Sequence, residues 1–368
     1  MSSQSWPARA RELAEVATHP QSRWRHAVID TPRHLLVPTW WEIRDGQPVR
    51  VDETANPDRW LRSAYRDRTL VTRLGPTHAD HAKADDQPEW RPTSSSTVPS
   101  LVVQMLRHAR VTEGVSVLDV GTGSGYSTAL LCHRLGSAQV TTIDVDPYLT
   151  AAASQRLDAI GHRPQVITAD ATGPLPGRYD RIVSMVSVPR IPASWLASLN
   201  PGGRLVTTIA GTCLIIGANK REDGSAIGRI ERDWAEFMPT RRAGDIDYPP
   251  PLLARTAEAR DQDGDHVTTG RYPALDVDDN WEVRSILALT VPGVETHYQE
   301  SGRHRTTWLV HPDGSWARAE GEWTNPPAVH QTGPRRLWDE LERILHQRVL
   351  GGGLGLFGHP VRIDPDGT

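Results

Sequence analysis

Three glycines and three aspartates between residues 115 and 171 are the residues whose spacing could do chemistry. Gly121, Gly123 and Gly125 follow the apolar run Val115, Val117, Leu118 and Val120, and a helical pattern starts at Tyr126. That order predicts a strand, a tight turn and a helix. Glycine backbone can take positive φ and lie close to a bound group, while the free N–H groups of the helix start point at it. Asp119 stands one residue before the strand end. Asp144 ends the run VTTIDVD, 19 residues after Gly125, where a carboxylate accepts hydrogen bonds from ribose hydroxyls. Asp170 ends the third run, QVITAD, and an acid there usually meets an adenine amine in such folds.

Two ligands compete for the turn. A dinucleotide asks for G-x-G-x-x-G, whereas Gly121-Thr122-Gly123-Ser124-Gly125 reads G-x-G-x-G. With Asp119 expected to hold a cationic amine, the pattern favours S-adenosylmethionine, whose amino-acid end and sulfonium replace a pyrophosphate. Just upstream, Ser94, Ser95, Ser96 and Thr97 form a hydroxyl run before Pro99. Capping of the helix that starts there explains one hydroxyl, and a functional role is expected for at least one other. His78, Asp80, His81, Asp85 and Asp86 are metal-ligand types, but without a pair of His at helical spacing they read as a solvated mobile loop near the site's mouth, and no metal is expected. His34 reads as structural.

The elements that must position these groups alternate strand and helix from residue 115 to about 210, as in a doubly wound, mostly parallel α/β sheet. The segment around Asp223-Gly224 is expected to add strands to it. Residues 5–19 read as an amphipathic helix with Leu13 and Val16 inward, and residues 57–67 as a short helix. Residues 241–275 read as a linker or irregular surface, and a hairpin at Pro312-Asp313-Gly314 precedes a helix in a small α+β unit. Three regions result: a helical and irregular extension over the site (1–95), the cofactor-binding domain (96–240) and an accessory α+β region (241–368), whose removal is expected to spare donor binding.

The chain has 368 residues, a formal charge of -4 and no basic cluster that would track phosphates, so nucleic acid is not an expected partner. Its two cysteines, Cys132 and Cys213, fit a reducing cytosol. No membrane span or signal peptide is evident, and a cytoplasmic location is expected. Thirteen Trp against two Phe is unusual. They are read as core filling in the accessory segments, with a peptide-binding surface as the alternative.

RHLLVP, STVPSLVVQML, VLDVGTGSGY and IPASWLASLNPGGRLV, with the mutual spacing of Pro99, Met105 and Gly121, resemble the protein-L-isoaspartate O-methyltransferase family over about residues 20 to 220. The resemblance implies a Rossmann-like methyltransferase fold and methyl transfer from S-adenosylmethionine to an aspartyl or isoaspartyl carboxylate, with S-adenosylhomocysteine as product. It places the cofactor at Asp119, Gly121, Thr122, Gly123, Gly125, Tyr126, Asp144, Val145, Asp170 and Ala171. The family's serine two residues before the proline corresponds to Thr97, a departure that leaves Ser95 and Ser96 as alternative grips on the acceptor carboxylate. The long extensions resemble those of actinobacterial relatives that tailor ribosomally made peptides such as lanthipeptides and graspetides, where the ester gives an aspartimide that opens to isoaspartate. That is the leading reading, with a peptide or protein partner. General repair of isoaspartyl proteins and a non-catalytic peptide scaffold are the alternatives.

Overall fold

The computed structural model describes residues 5–83, 86–242, 252, 259 and 262–368. Helix α1 (Trp6–Ala17) starts with Pro in its first turn and buries Ala10, Leu13, Ala14 and Ala17. Val16 lies off that stripe and is 71% exposed, contrary to the expectation that it turns inward. Helices α2 (Arg25–Asp30) and α3 (Arg33–Leu36) follow.

The stretch expected to be helical and irregular instead holds a five-stranded sheet. It comprises β1 (Trp40–Arg44), β2 (Gln47–Val51), β3 (Leu70–Leu74), β4 (Thr77–His78) and β5 (Pro92–Ser96), in the order β2-β1-β3-β4 with β5 also on β3. Helix α4 (Pro57–Ala64), capped by the Asn56 side chain, is inserted between β2 and β3. The missed signal is Asp45-Gly46. Both residues take positive φ, 51° and 76°, which suits the tight turn of the β1–β2 hairpin. The hydroxyl run is correspondingly strand, with Val71 opposite Ser95 and Leu70 opposite Ser96. Its side chains do not cap the next helix, α5 (Pro99–His108), whose N-cap is Val98 and whose Ser100 N–H donates to Asp67 Oδ1 at 2.8 Å.

The central sheet is the expected one. Strands β6 (Val117–Val120), β7 (Val140–Asp144), β8 (Gln165–Thr168), β9 (Tyr179–Val188) and β10 (Leu199–Ile209) are parallel. Their crossover helices are α6 (Tyr126–Leu135), α7 (Pro147–Ala159) and α8 (Ala193–Ser198). Strands β11 (Leu214–Lys220) and β12 (Ala226–Trp234) extend it antiparallel, around Asp223-Gly224 as expected. The order β12-β11-β10-β9-β6-β7-β8 reverses direction at β6/β9, so a crevice opens at the carboxyl ends of those two strands. This is a Rossmann-like, doubly wound arrangement.

One face of the sheet packs on α5 and α6 together with Leu13, Trp24, Leu36, Trp40 and Trp60, so the N-terminal sheet and helices share its core rather than forming a detached extension. The other face buries Trp195, Leu196 and Leu199. In the C-terminal region, β13 (His266–Thr269) lies within the segment expected to be irregular, much of which is outside the described residues. Strands β14 (Glu295–Ser301), β15 (His304–Val310), β16 (Trp316–Glu322) and β17 (Ala328–Thr332) complete an antiparallel sheet, order β13-β17-β16-β15-β14. Helices α9 (Trp281–Thr290) and α10 (Leu337–Gly351) bury Val283, Leu287, Trp338, Leu341 and Ile344 against it. The expected hairpin is present, with the His311 N–H donating to Ser315 O at 2.9 Å.

The chain then returns. Strand β18 (Pro360–Ile363) pairs antiparallel with β12 at the edge of the central sheet, Ala226 opposite Ile363, so the boundary expected near residue 240 does not separate two independent units. Eight tryptophans, among them Trp24, Trp40, Trp195 and Trp338, are buried, which is the core-filling reading; Trp90, Trp234 and Trp323 are exposed. Among the described residues no helix is long and apolar enough to cross a membrane.

Candidate active site

The crevice is built around the glycine turn. Gly121, Gly123 and Gly125 take φ of 90°, 49° and 81°, and the Gly121 N–H donates to Ile143 O at 2.8 Å, tying the turn to β7. A Cβ on Gly121 would stand 3.0 Å from Val186 Cγ1, so both conformation and space select glycine there. Gly125 packs against Ala153 and Leu157 on α7 and faces away from the crevice.

Asp144 Oδ2 accepts from the Gly123 N–H at 2.9 Å and its Oδ1 from the Asp146 N–H at 3.1 Å. A carboxylate oxygen accepts more than one bond, so the group locks the turn and keeps acceptor capacity for a ligand. Burial pushes its pKa up, and the two backbone N–H groups pull it back. Asp170 Oδ1 accepts from the Thr172 N–H and hydroxyl, a local turn that fixes its side chain at the rim. Asp144, Val145, Asp170 and Ala171 all line a cavity of about 230 Å³ with Gly121 and Gly123.

Asp119 does not. It is fully buried behind the turn, where Oδ2 accepts from the Ser127 and Thr128 hydroxyls at 2.8 and 2.7 Å and Oδ1 has no partner among the described residues. Burial raises its pKa to about 6. Its position ties β6 to the first turn of α6, in place of the expected contact with a cofactor amine. Thr122 and Tyr126 also lie off the main cavity: the Thr122 and Thr142 hydroxyls are 2.7 Å apart, and the Tyr126 ring lies under Arg33.

The hydroxyl run divides. Ser94, Ser95 and Thr97 line the main cavity, whereas Ser96 is 2% exposed and borders, with Ser95 and Thr97, a second cavity of about 30 Å³ beside Tyr126 and the turn. Ser96 does not line the main cavity. Holding the run in place is Arg33, fully buried, which donates to the carbonyls of Ala64, Arg66 and Arg68 at 2.9 to 3.0 Å and more weakly to Ser96 and Thr97 at 3.5 and 3.4 Å. Burial lowers its pKa to about 10, which leaves it charged at neutral pH. Its neighbour His34 is structural as expected, with Nδ1 2.7 Å from the Tyr65 hydroxyl and its pKa lowered by burial to about 4.

The expected mobile loop is instead a clamp on α7. His78 and Arg73 contact Asp146 at 3.2 and 3.3 Å, and Asp80 accepts from Thr39, Tyr148 and Arg156. Burial raises the Asp146 carboxyl, but His78 and Arg73 outweigh it and hold the group at about 2. Residues 78–80 are held in place because four polar partners outside the loop, Thr39, Asp146, Tyr148 and Arg156, replace the water they would otherwise face. Asp86 accepts from the Lys83 N–H, and Asp85 lies outside the described residues.

Sequence reasoning missed the far wall. Residues 236–241 run back along β9, with the Ser187 N–H donating to Met238 O at 2.9 Å and the Thr240 N–H to Ser187 O at 2.8 Å. Phe237, Met238 and Arg241 thereby join Met185 and Val186 around the cavity. The periodic pattern fades after β12, so only this non-local pairing reveals the segment.

Residues 79–241 match the family model described as protein-L-isoaspartate(D-aspartate) O-methyltransferase. A relative named protein-L-isoaspartate O-methyltransferase from Thermococcus onnurineus is 33% identical over 138 residues, which are 36% of this chain and 62% of that protein. One of the same name from Azorhizobium caulinodans is 35% identical over 139 residues, 37% and 63% of the two chains. The chain thus spans a little under two thirds of the length of these curated relatives. A solved structure of the same name is 16% identical, covers 97% of this chain and 99% of its own, and gives a TM-score of 0.49. The residues that match that family model include the glycine turn and both cavity aspartates.

Proposed function

We propose that the protein transfers a methyl group from S-adenosylmethionine to a side-chain carboxylate of an aspartyl or isoaspartyl residue in a peptide or protein. The observation that carries this reading is the composition of the cavity wall. Among the described residues lining it there is no His, Lys or Cys, only hydroxyls, aspartates, Glu236, Arg241 and apolar groups. An acceptor that needed deprotonation would want a tuned base, and the carboxylates of the wall are engaged elsewhere, Asp144 with the glycine turn, Asp170 with Thr172 and Glu236 with Arg284. A carboxylate with a reference pKa near ~4 is ionised already, so the wall suits it.

The residues fit the donor. Gly121 and Gly123 leave room for close approach, Asp144 offers acceptor capacity for ribose hydroxyls, and Asp170 and Ala171 stand where an adenine would lie. When bound, the cofactor supplies a methyl group on a sulfonium and leaves as S-adenosylhomocysteine. The chain's own part is orientation and exclusion of water. Thr97 or Ser95 donates a hydroxyl hydrogen bond to one carboxylate oxygen, and Met185, Val186 and Phe237 keep the opposite side dry.

The finer reading is methylation of one residue of a ribosomally made peptide, with the ester going on to aspartimide or isoaspartate. It is favoured by the N-terminal sheet beside the hydroxyl run and by the second antiparallel sheet, since the matched family region covers only residues 79–241. Incubation with labelled S-adenosylmethionine and a panel of aspartyl, isoaspartyl and constrained peptides tests both levels. Gain of a base-labile methyl on a carboxyl peptide is the expected result. Transfer to none of them would sink the reaction, and efficient turnover of short isoaspartyl peptides would favour general repair over tailoring.

A further inference from the structure

We infer that the groove between the end of α1, the α1–α2 connection and α5 docks an acidic segment, bearing apolar side chains, of the polypeptide substrate. The inference rests on the carboxyl-methylation reading. The groove holds about 790 Å³, more than the donor cavity. Its floor is apolar, formed by Trp24, Leu106 and Val111 with others of the same kind. Its rim carries Arg23 from the α1–α2 connection and Arg107 and Arg110 from the end of α5, all three exposed. Two more guanidinium groups stand close by. Arg134 donates to Arg23 O at 3.2 Å with its Cζ 5.4 Å from the Trp24 ring, and Arg181 Nε donates to Arg110 O at 3.3 Å.

None of the lining residues is acidic. Of the acids nearby, Glu15, on α1, pairs with Arg25 at 3.9 Å, Asp67 accepts from the Ser100 N–H at 2.8 Å, Asp180 is taken up by Ser116 and Asn200, and Glu113 faces Arg134. On a chain of net charge -4, such a set of arginines is a local reversal of sign, and a rim of one sign around an apolar floor selects a partner of opposite charge with apolar anchors. Position links the groove to the reaction. Ser100 lines it, while Leu101 and Thr97 line the main cavity, so the first turn of α5 is a shared wall. Trp24 is only 4% exposed, so there is no platform for stacking bases, which favours polypeptide over nucleic acid.

Fluorescence anisotropy with the full chain tests this, using a short labelled peptide of alternating Glu and Leu, its Lys–Leu counterpart and an oligouridylate. The Glu–Leu peptide is expected to bind, the Lys–Leu peptide not to. Arg23→Glu combined with Arg107→Glu should weaken binding about tenfold or more, while Arg23→Lys with Arg107→Lys retains it. Equal binding of both peptides, indifference to the Glu substitutions, or preference for the oligouridylate overturns the proposal. Methyl transfer to a short isoaspartyl peptide, with and without a Glu–Leu tail, separates the two levels. If the tail lowers KM in the wild type, the groove is supported. If the short peptide is methylated and the tail changes nothing, the groove is refuted and the reaction stands. If nothing is methylated while the Glu–Leu peptide binds as predicted, the reaction reading falls and the docking groove stands.

Discussion

At Asp144 the carboxylate serves two masters, the backbone of the glycine turn and the cavity. Asp144→Ala should therefore weaken S-adenosylmethionine binding by about 1 to 3 kcal/mol, read by titration calorimetry; unchanged affinity would refute its role. Thr97→Val keeps shape and removes the hydroxyl. It should cut kcat with little change in donor affinity, whereas Ser96→Ala, off the main cavity, should leave donor affinity and kcat closer to wild type. The reverse pattern would move the carboxylate grip to Ser96. Asp119 makes a pH prediction. Its folded pKa, about 6, lies above the ordinary carboxylate value of 3.8, so its favourable protonated form is fully present below pH 4 and is lost as pH rises through 6. Relative to Asp119→Asn, the wild type should lose stability across that window, by up to about 3 kcal/mol, seen as a growing gap in melting temperature. Asp144 and Asp170 were legible because strand ends at the carboxyl edge point into the crevice. Asp119 was not, because one residue of strand alternation turns its side chain from the crevice toward α6.

The α3–β5–α5 arrangement depends on Arg33 as its hub. Five backbone carbonyls from two stretches of chain, residues 64–68 and 96–97, meet one guanidinium, and Lys cannot reproduce that fork. Arg33→Met should lower the free energy of unfolding by roughly 3 kcal/mol or more in urea titration, since a set of charge-assisted bonds is left unmade. Arg33→Lys should fold better than Arg33→Met yet still lower kcat through Thr97. Helix α5 itself was readable from Pro99 and its apolar stripe. The strand just before it was not, because serine has little intrinsic preference for sheet and the pairing partner β3 lies some twenty residues upstream. The Asp45-Gly46 turn was a local signal that the Asp-, Arg- and Pro-rich composition around it masked.

For the molecule as a whole, the central sheet was legible because each strand and helix repeats a local pattern, while the closure of the structure was not, because it is made by residues far apart in sequence. The Cys213 N–H donates to Ser285 Oγ at 3.0 Å, Arg284 grips Glu236 with both terminal nitrogens, and β18 covers β12. A chain cut after residue 241 should accordingly be poorly soluble rather than competent for donor binding, the opposite of what the sequence alone suggests. Deleting residues 360–368 alone should speed amide hydrogen exchange along β12; unchanged protection there would show that β18 does not seal the edge. The pairing of β12 with β18 also has a consequence for biosynthesis. Residues 235–359, a stretch of 125, must leave the ribosome after β12 and before its partner strand. At ~5 to 20 residues per second, the newly made edge of β12 waits roughly 6 to 25 seconds for its neighbour. During that interval it is a bare template for pairing with other nascent chains, and chaperone demand in the cell should peak there rather than at the glycine turn.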